Sequence, residues 1–102
     1  MHTLVFEYVD GTPLSQLPAE KLTPELLRKV KDAYMRVHAC GVVHGDPRLE
    51  NVLVRGDGEG CLIDFGRAEI DPSEQLCKHE LAEVVDMWQV ATVSYRVCHL
   101  VR

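Results

Sequence analysis

Basic residues are the scarcer charge in this sequence: 11 Lys and Arg stand against 16 Asp and Glu, for a formal net charge of −5. A broad electropositive face for nucleic acid is therefore not expected. No apolar run approaches the ~18 residues of a membrane-spanning helix, so no membrane partner is expected either. The first residues, Met1-His2-Thr3-Leu4-Val5-Phe6-Glu7, lack a basic segment and reach a carboxylate after three apolar residues. That is not the pattern of a secretory signal. The four cysteines, at 40, 61, 77 and 98, include no C-x-x-C pair. Cys77 and His79 are two apart, but no further ligands lie near them in sequence. The reading is reduced thiols in a cytoplasmic protein rather than a zinc site. Internal repeats and low-complexity segments are absent. What remains is 102 residues, 46% hydrophobic and 26% charged, the composition of one globular domain with a modest core.

The chain divides at its glycines and prolines. Thr3 to Val9 is β-branched and aromatic, which predicts a strand, and Asp10-Gly11-Thr12-Pro13 is expected to break it. Leu14 to Leu17 predicts one short helical turn. Thr23-Pro24 opens a helix, with Thr23 as cap and Pro24 at the first helical position. Leu27, Val30, Tyr34 and Val37 follow on one face, and Gly41 supplies the stop. Val42-Val43 reads as a short buried strand. Val52 to Arg55 and Cys61 to Asp64 read as a hairpin around Gly56 to Gly60. A second helix is expected from about Ser73 to about Gln89. Leu81, Val84, Val85 and Trp88 form its apolar stripe, and Leu76, Glu80, Glu83 and Met87 share another face. Beyond Gln89 the pattern fits either a strand or a continued helix.

Most of the chemistry lies in His44-Gly45-Asp46-Pro47-Arg48-Leu49-Glu50-Asn51, a polar loop between two apolar strands. Asp64-Phe65-Gly66 stands at the far end of the hairpin, which returns Asp64 towards Asn51. Asp46 can then accept a proton, while Asn51 and Asp64 offer the oxygen ligands that Mg²⁺ prefers. Arg48 supplies positive charge where a transferring phosphoryl group needs it. Taken singly, each residue has a plainer role as a turn, a cap or a core position. Taken together at this spacing, they point to a site.

The constellation resembles the catalytic lobe of the protein-kinase-like superfamily, with its H-x-D-x-x-x-x-N loop and downstream D-F-G. Here these are His44-Gly45-Asp46 with Asn51, and Asp64-Phe65-Gly66. The resemblance implies Asp46 as catalytic base, Arg48 in place of the usual catalytic-loop lysine, and Asn51 and Asp64 as Mg²⁺ ligands. It implies that His44 packs beneath the Asp-Phe-Gly turn. It also likens Leu4 to Val9 to the strand entering the kinase hinge. Phe6 would then line the back of an ATP pocket, the Glu7 carbonyl and Val9 N–H would meet the adenine edge, and Leu53 would lie beneath the base. The expected fold is α+β and mostly helical: hinge strand, long helix, catalytic loop, hairpin and C-terminal helix, as one partial domain. The implied partners are ATP and a hydroxyl acceptor, either a protein or a small molecule.

The sequence also departs from the family. A glycine-rich phosphate loop, a strand lysine and its helix glutamate are not found, and neither is A-P-E after Asp64-Phe65-Gly66. Gly45 stands where many kinases have arginine, so switching by a phosphorylated loop is not expected. The short segment after Gly66 is closer in style to compact atypical or small-molecule kinases. Three readings stand: a catalytic lobe of an ATP-dependent phosphotransferase, a pseudokinase-like binding module, and an unrelated α/β domain holding a divalent metal. The first two share the expectation that these residues alone turn over no substrate. They also share the expectation of an exposed apolar surface that favours self-association or a partner lobe.

Overall fold

The computed structural model describes residues 11–100, with side chains across that span except Ala19 and 93–100. The expected strand from Thr3 to Val9, with Phe6, Glu7 and Val9, lies outside the described residues. The molecule is a small α+β arrangement of two helices and two small antiparallel sheets. Helix α1 spans Pro24–Ala39, and its start is the one the sequence specifies: Thr23 Oγ1 accepts the Leu26 N–H at 3.2 Å, ahead of Pro24. It ends at Gly41, which takes a φ of 81° and donates its N–H to His38 O at 2.9 Å. Of the expected apolar face, Val30 and Tyr34 are fully buried, joined by Ala33.

Strands β1 (Thr12–Pro13), β3 (Val52–Val54) and β4 (Gly60–Leu62) form one sheet in the order β1-β3-β4. The hairpin of β3 and β4 is as expected, with Val52 opposite Leu62 and Val54 opposite Gly60. The third strand corrects the expectation that Thr12-Pro13 only breaks a strand. Pro13 has no N–H to give, but an edge strand leaves one side of each residue unpaired, so proline is tolerated there. Thr12 lies opposite Val54, and Pro13 opposite Leu53. Leu14–Gln16 then forms a 3₁₀ turn that carries Leu14 into the core. The second sheet pairs β2 (Val42–Val43) with β5 (Glu69–Ile70), a strand the sequence pattern did not suggest. Two residues of strand are too short to show an alternation.

Helix α2 spans Glu74–Leu100 and is much longer than the segment ending near Gln89. The ambiguity beyond Gln89 resolves to helix. No Gly or Pro interrupts residues 90–100, and the Thr92 hydroxyl donates to the Trp88 and Gln89 carbonyls at 3.1 and 3.0 Å. A threonine bonded back one turn fits within a helix. Val84 and Trp88 of the expected stripe are buried, but Glu80 is buried with them. The placement of Glu80 on a face apart from that stripe is thus corrected. Residues 80, 84 and 88 are one helical turn apart and point the same way. The core gathers Leu14, Val30, Tyr34, Val52, Val84 and Trp88. It fastens α1 to α2 and to the hairpin, and the loop between β2 and β3 crosses beside it.

Candidate active site

The loop opens with His44, which is fully buried. Its ring serves four neighbours. Nδ1 accepts the Asp46 N–H at 3.1 Å, so the ring proton sits on Nε2, which donates to Ile63 O at 2.6 Å. One imidazole in one tautomer therefore ties the loop to the strand end just before Asp64. The ring also lies 4.8 Å from the Phe65 ring, tilted by 56°, and meets the edge of Tyr34 at 6.0 Å. This is the packing beneath the Asp64-Phe65-Gly66 turn that the resemblance implied for His44.

Asp46 is partly exposed and held from both sides. Arg48 Nε donates to its Oδ1 at 3.0 Å. Asn51 Nδ2 donates to its main-chain O at 3.0 Å and to Oδ2 at 3.3 Å. Asn51 is buried at the end of a 3₁₀ turn, Leu49–Asn51, which re-aims the chain into β3. Its Nδ2 is committed to Asp46, which leaves Oδ1 as the end that can face a cation. The Ile63 N–H donates to Asn51 O at 2.9 Å, extending the β3–β4 ladder by one pair. Asp64 follows immediately, exposed, at a φ of 60°. A non-glycine residue in this left-handed region stores backbone strain, which collects at functional sites. Among the described residues its Oδ1 is held only by a long 3.4 Å bond from Gly66 N.

The structure thus brings Asp46, Arg48 and Asn51 into direct contact and places Asp64 one residue beyond the main-chain bond to Asn51. Leu53, expected beneath a base, is half-buried in β3 opposite Pro13. Among the described residues no group of three His, Cys, Asp or Glu side chains could hold a metal by itself. One amide oxygen and one carboxylate fit instead the sparse protein share of a Mg²⁺ site completed by substrate phosphates and water. Two residues at the loop escaped the sequence reading. Glu80 Oε1 accepts the His44 N–H at 3.0 Å, and its Oε2 accepts the Gly45 N–H at 2.8 Å. His38 Nε2 lies 2.8 Å from Oε1, both side chains being almost fully buried. The signal available was the one-turn spacing of Glu80 with Val84 and Trp88.

No helix among the described residues is long and apolar enough to cross a membrane. Several known proteins resemble this chain. "Probable bifunctional tRNA threonylcarbamoyladenosine biosynthesis protein" of Methanosarcina barkeri is 40% identical over 68 residues, which is 67% of this chain and 12% of that protein. "KEOPS complex subunit Bud32" of Pyrococcus abyssi is 39% identical over 72 residues, covering 67% of this chain and 32% of that one. "Cyclin-dependent kinase 4" of Ovis aries is 32% identical, covering 89% of this chain and 38% of that one. The chain therefore spans between about an eighth and two fifths of the length of these relatives. The family model described as "ABC1 atypical kinase-like domain" matches residues 1–92. With the loop from His44 to Asn51 and the turn at Asp64-Phe65-Gly66 in this arrangement, the chain belongs to the ABC1 atypical kinase-like domain family, within the protein-kinase-like superfamily.

Proposed function

We propose that this chain is catalytic-lobe sequence of an ATP-dependent phosphotransferase, acting on a hydroxyl acceptor. The observation that carries the reading is the cluster in which Asn51 and Arg48 grip Asp46 while the residue before Asp64, Ile63, bonds through its N–H to Asn51 O. Asp46 is the base: its carboxylate is aimed by two neighbours, yet each oxygen retains a lone pair for an acceptor O–H. Arg48, two thirds exposed, holds Asp46 at rest and is free to swing to an anionic group. Asn51 Oδ1 and the Asp64 carboxylate would hold Mg²⁺, which when bound neutralises phosphate charge and fixes the phosphate chain for in-line transfer. A shallow groove bounded by Pro47, Arg48, Glu50, Asp86, Met87 and Val90 runs beside the loop and offers an acceptor a place to lie.

A glycine-rich phosphate loop and a strand lysine are not among these 102 residues. Residues 1–102 alone are then expected to hold Mg²⁺–ATP from one side only, with millimolar or weaker affinity, about −4 kcal/mol or less favourable, and no turnover. Membership of a tRNA-modifying assembly is a further proposal: one relative is called a KEOPS complex subunit and another a tRNA threonylcarbamoyladenosine biosynthesis protein. The reading is tested by titrating Mn²⁺–ATP into the ¹⁵N-labelled chain. Paramagnetic broadening should centre on Asn51 and Asp64, and Asp64→Ala should abolish it. Broadening elsewhere, or unchanged in Asp64→Ala, defeats the assignment.

A further inference from the structure

Helix α2 runs on past the core it serves. Its last core residue is Trp88, yet the helix continues to Leu100. Residues 89–100 add about 18 Å of helix, at ~1.5 Å per residue. A helical extension that stays in water is ordinarily polar all round. This one is not: from Met87 to Leu100 the sequence has no Asp or Glu, and Arg96 is its one Lys or Arg. Val90, near its start, is 66% exposed. Asp86, Val90, Val93, Val97 and Leu100 recur at steps of 4, 3, 4 and 3, the spacing of a seam between two paired helices. No helix among the described residues can cross a membrane.

Charge identifies what lies on this seam. Leu49, Met87 and Val90 line the groove beside the loop, and its rim carries the exposed carboxylates of Glu50 and Asp86. Arg48, on the same rim, is held by Asp46. The groove therefore suits an apolar helix that has no acid and one cation, and the end of α2 is such a helix. Residues 86 and 96 are equidistant from residue 91. Two α2 helices that cross antiparallel, on a two-fold axis at residue 91, set Asp86 of each copy against Arg96 of the other. Parallel pairing would set like charge on like charge, which is unfavourable. We infer that the end of α2 docks on a second copy of this chain in that antiparallel register, each end lying along the other's groove. The same groove is the place offered to the acceptor, so pairing and acceptor binding exclude each other. That consequence rests on the phosphotransferase reading; the pairing does not.

Sedimentation equilibrium of the 102-residue chain tests it. The wild type should form dimers below ~100 µM. Asp86→Arg and Arg96→Asp should each raise the dissociation constant by ~10-fold or more, because each sets like charges together twice. The double variant Asp86→Arg, Arg96→Asp should restore the dimer, and so should an equimolar mixture of the two single variants. A misfolded variant would not be rescued by mixing. A wild type that stays monomeric at that concentration overturns the inference. So does association that neither reversal weakens, since the contact then lies elsewhere, or weakened association that the mixture fails to restore, since the register is then wrong. Mn²⁺–ATP broadening at Asn51 and Asp64 is read separately: its absence with the dimer intact defeats the phosphotransferase reading alone.

Discussion

At the scale of single residues, Tyr34 stands out beside the site. It is fully buried, and its hydroxyl has no hydrogen-bond partner among the described residues. Burial first, and then the negative charges of Glu80, Asp46 and Glu83, push its ionisation well above the ordinary tyrosine range. An orphaned buried hydroxyl carries its desolvation penalty without return. Tyr34→Phe is therefore expected to stabilise the chain by about 1 kcal/mol in urea unfolding; a loss of that size would mean that a trapped water serves the hydroxyl. The sign with pH follows from the raised ionisation. An unfolded tyrosine loses its proton near pH ~10, whereas folded Tyr34 keeps it. The contribution is whole below that pH and is lost as pH rises beyond it. The wild type should lose stability above pH ~10 more steeply than Tyr34→Phe.

At the scale of elements, the loop between β2 and β3 behaves as a part with fixed walls. Gly45→Ala must place a methyl group against the Arg67 carbonyl at a φ of 89°. Left-handed strain and overpacking combine to a loss of about 3 kcal/mol, and ¹⁵N shifts from Gly45 to Arg67 should move together. Gly56, in the hairpin turn, makes the contrast. A Cβ there meets nothing within 4 Å, so Gly56→Ala should lie within about 0.5 kcal/mol of wild type. Paired melts of the two variants separate a glycine the site requires from one the turn merely tolerates. How far each element could be read from sequence varies in the same way. α1 announces both its ends in Thr23-Pro24 and Gly41. The end of α2 carries no such mark, because Ala91, Val93, Tyr95 and Val97 fit either period. β5 has only Glu69 and Ile70, and its pairing with β2 was decided by the chain's return past Gly41, where the Asp71 N–H meets the Gly41 carbonyl at 2.8 Å.

At the scale of the whole molecule, large apolar side chains remain in contact with solvent. Phe65 is 44% exposed at the top of the His44 stack, Ile70 80%, and Val90 66% beside the groove along α2. Apolar exposure on several sides of so small a chain favours association. The expressed chain should bind a hydrophobic dye and sediment faster as its concentration rises. The double variant Ile70→Ser, Val90→Ser should weaken both effects, whereas a monomer that binds no dye would show that these side chains are covered.

The sequence by itself determined the protein-kinase-like superfamily, the residues of the loop and turn, and the local grammar of α1 and the hairpin. These depend on short-range chemistry: a cap three residues from its donor, a proline without an N–H, an Asp and an Asn at a spacing a loop can close. Only the tertiary structure decided what surrounds them. The bond from Ile63 to Asn51 places Asp64, the His44 tautomer follows from partners 2 and 19 residues away, and Glu80 reaches the loop from 35 and 36 residues along the chain. A charged residue on a helix reads as solvent-facing because a lone carboxylate is costly to bury. Here the loop's own main-chain N–H groups satisfy it, and no pattern within α2 records that they will be there.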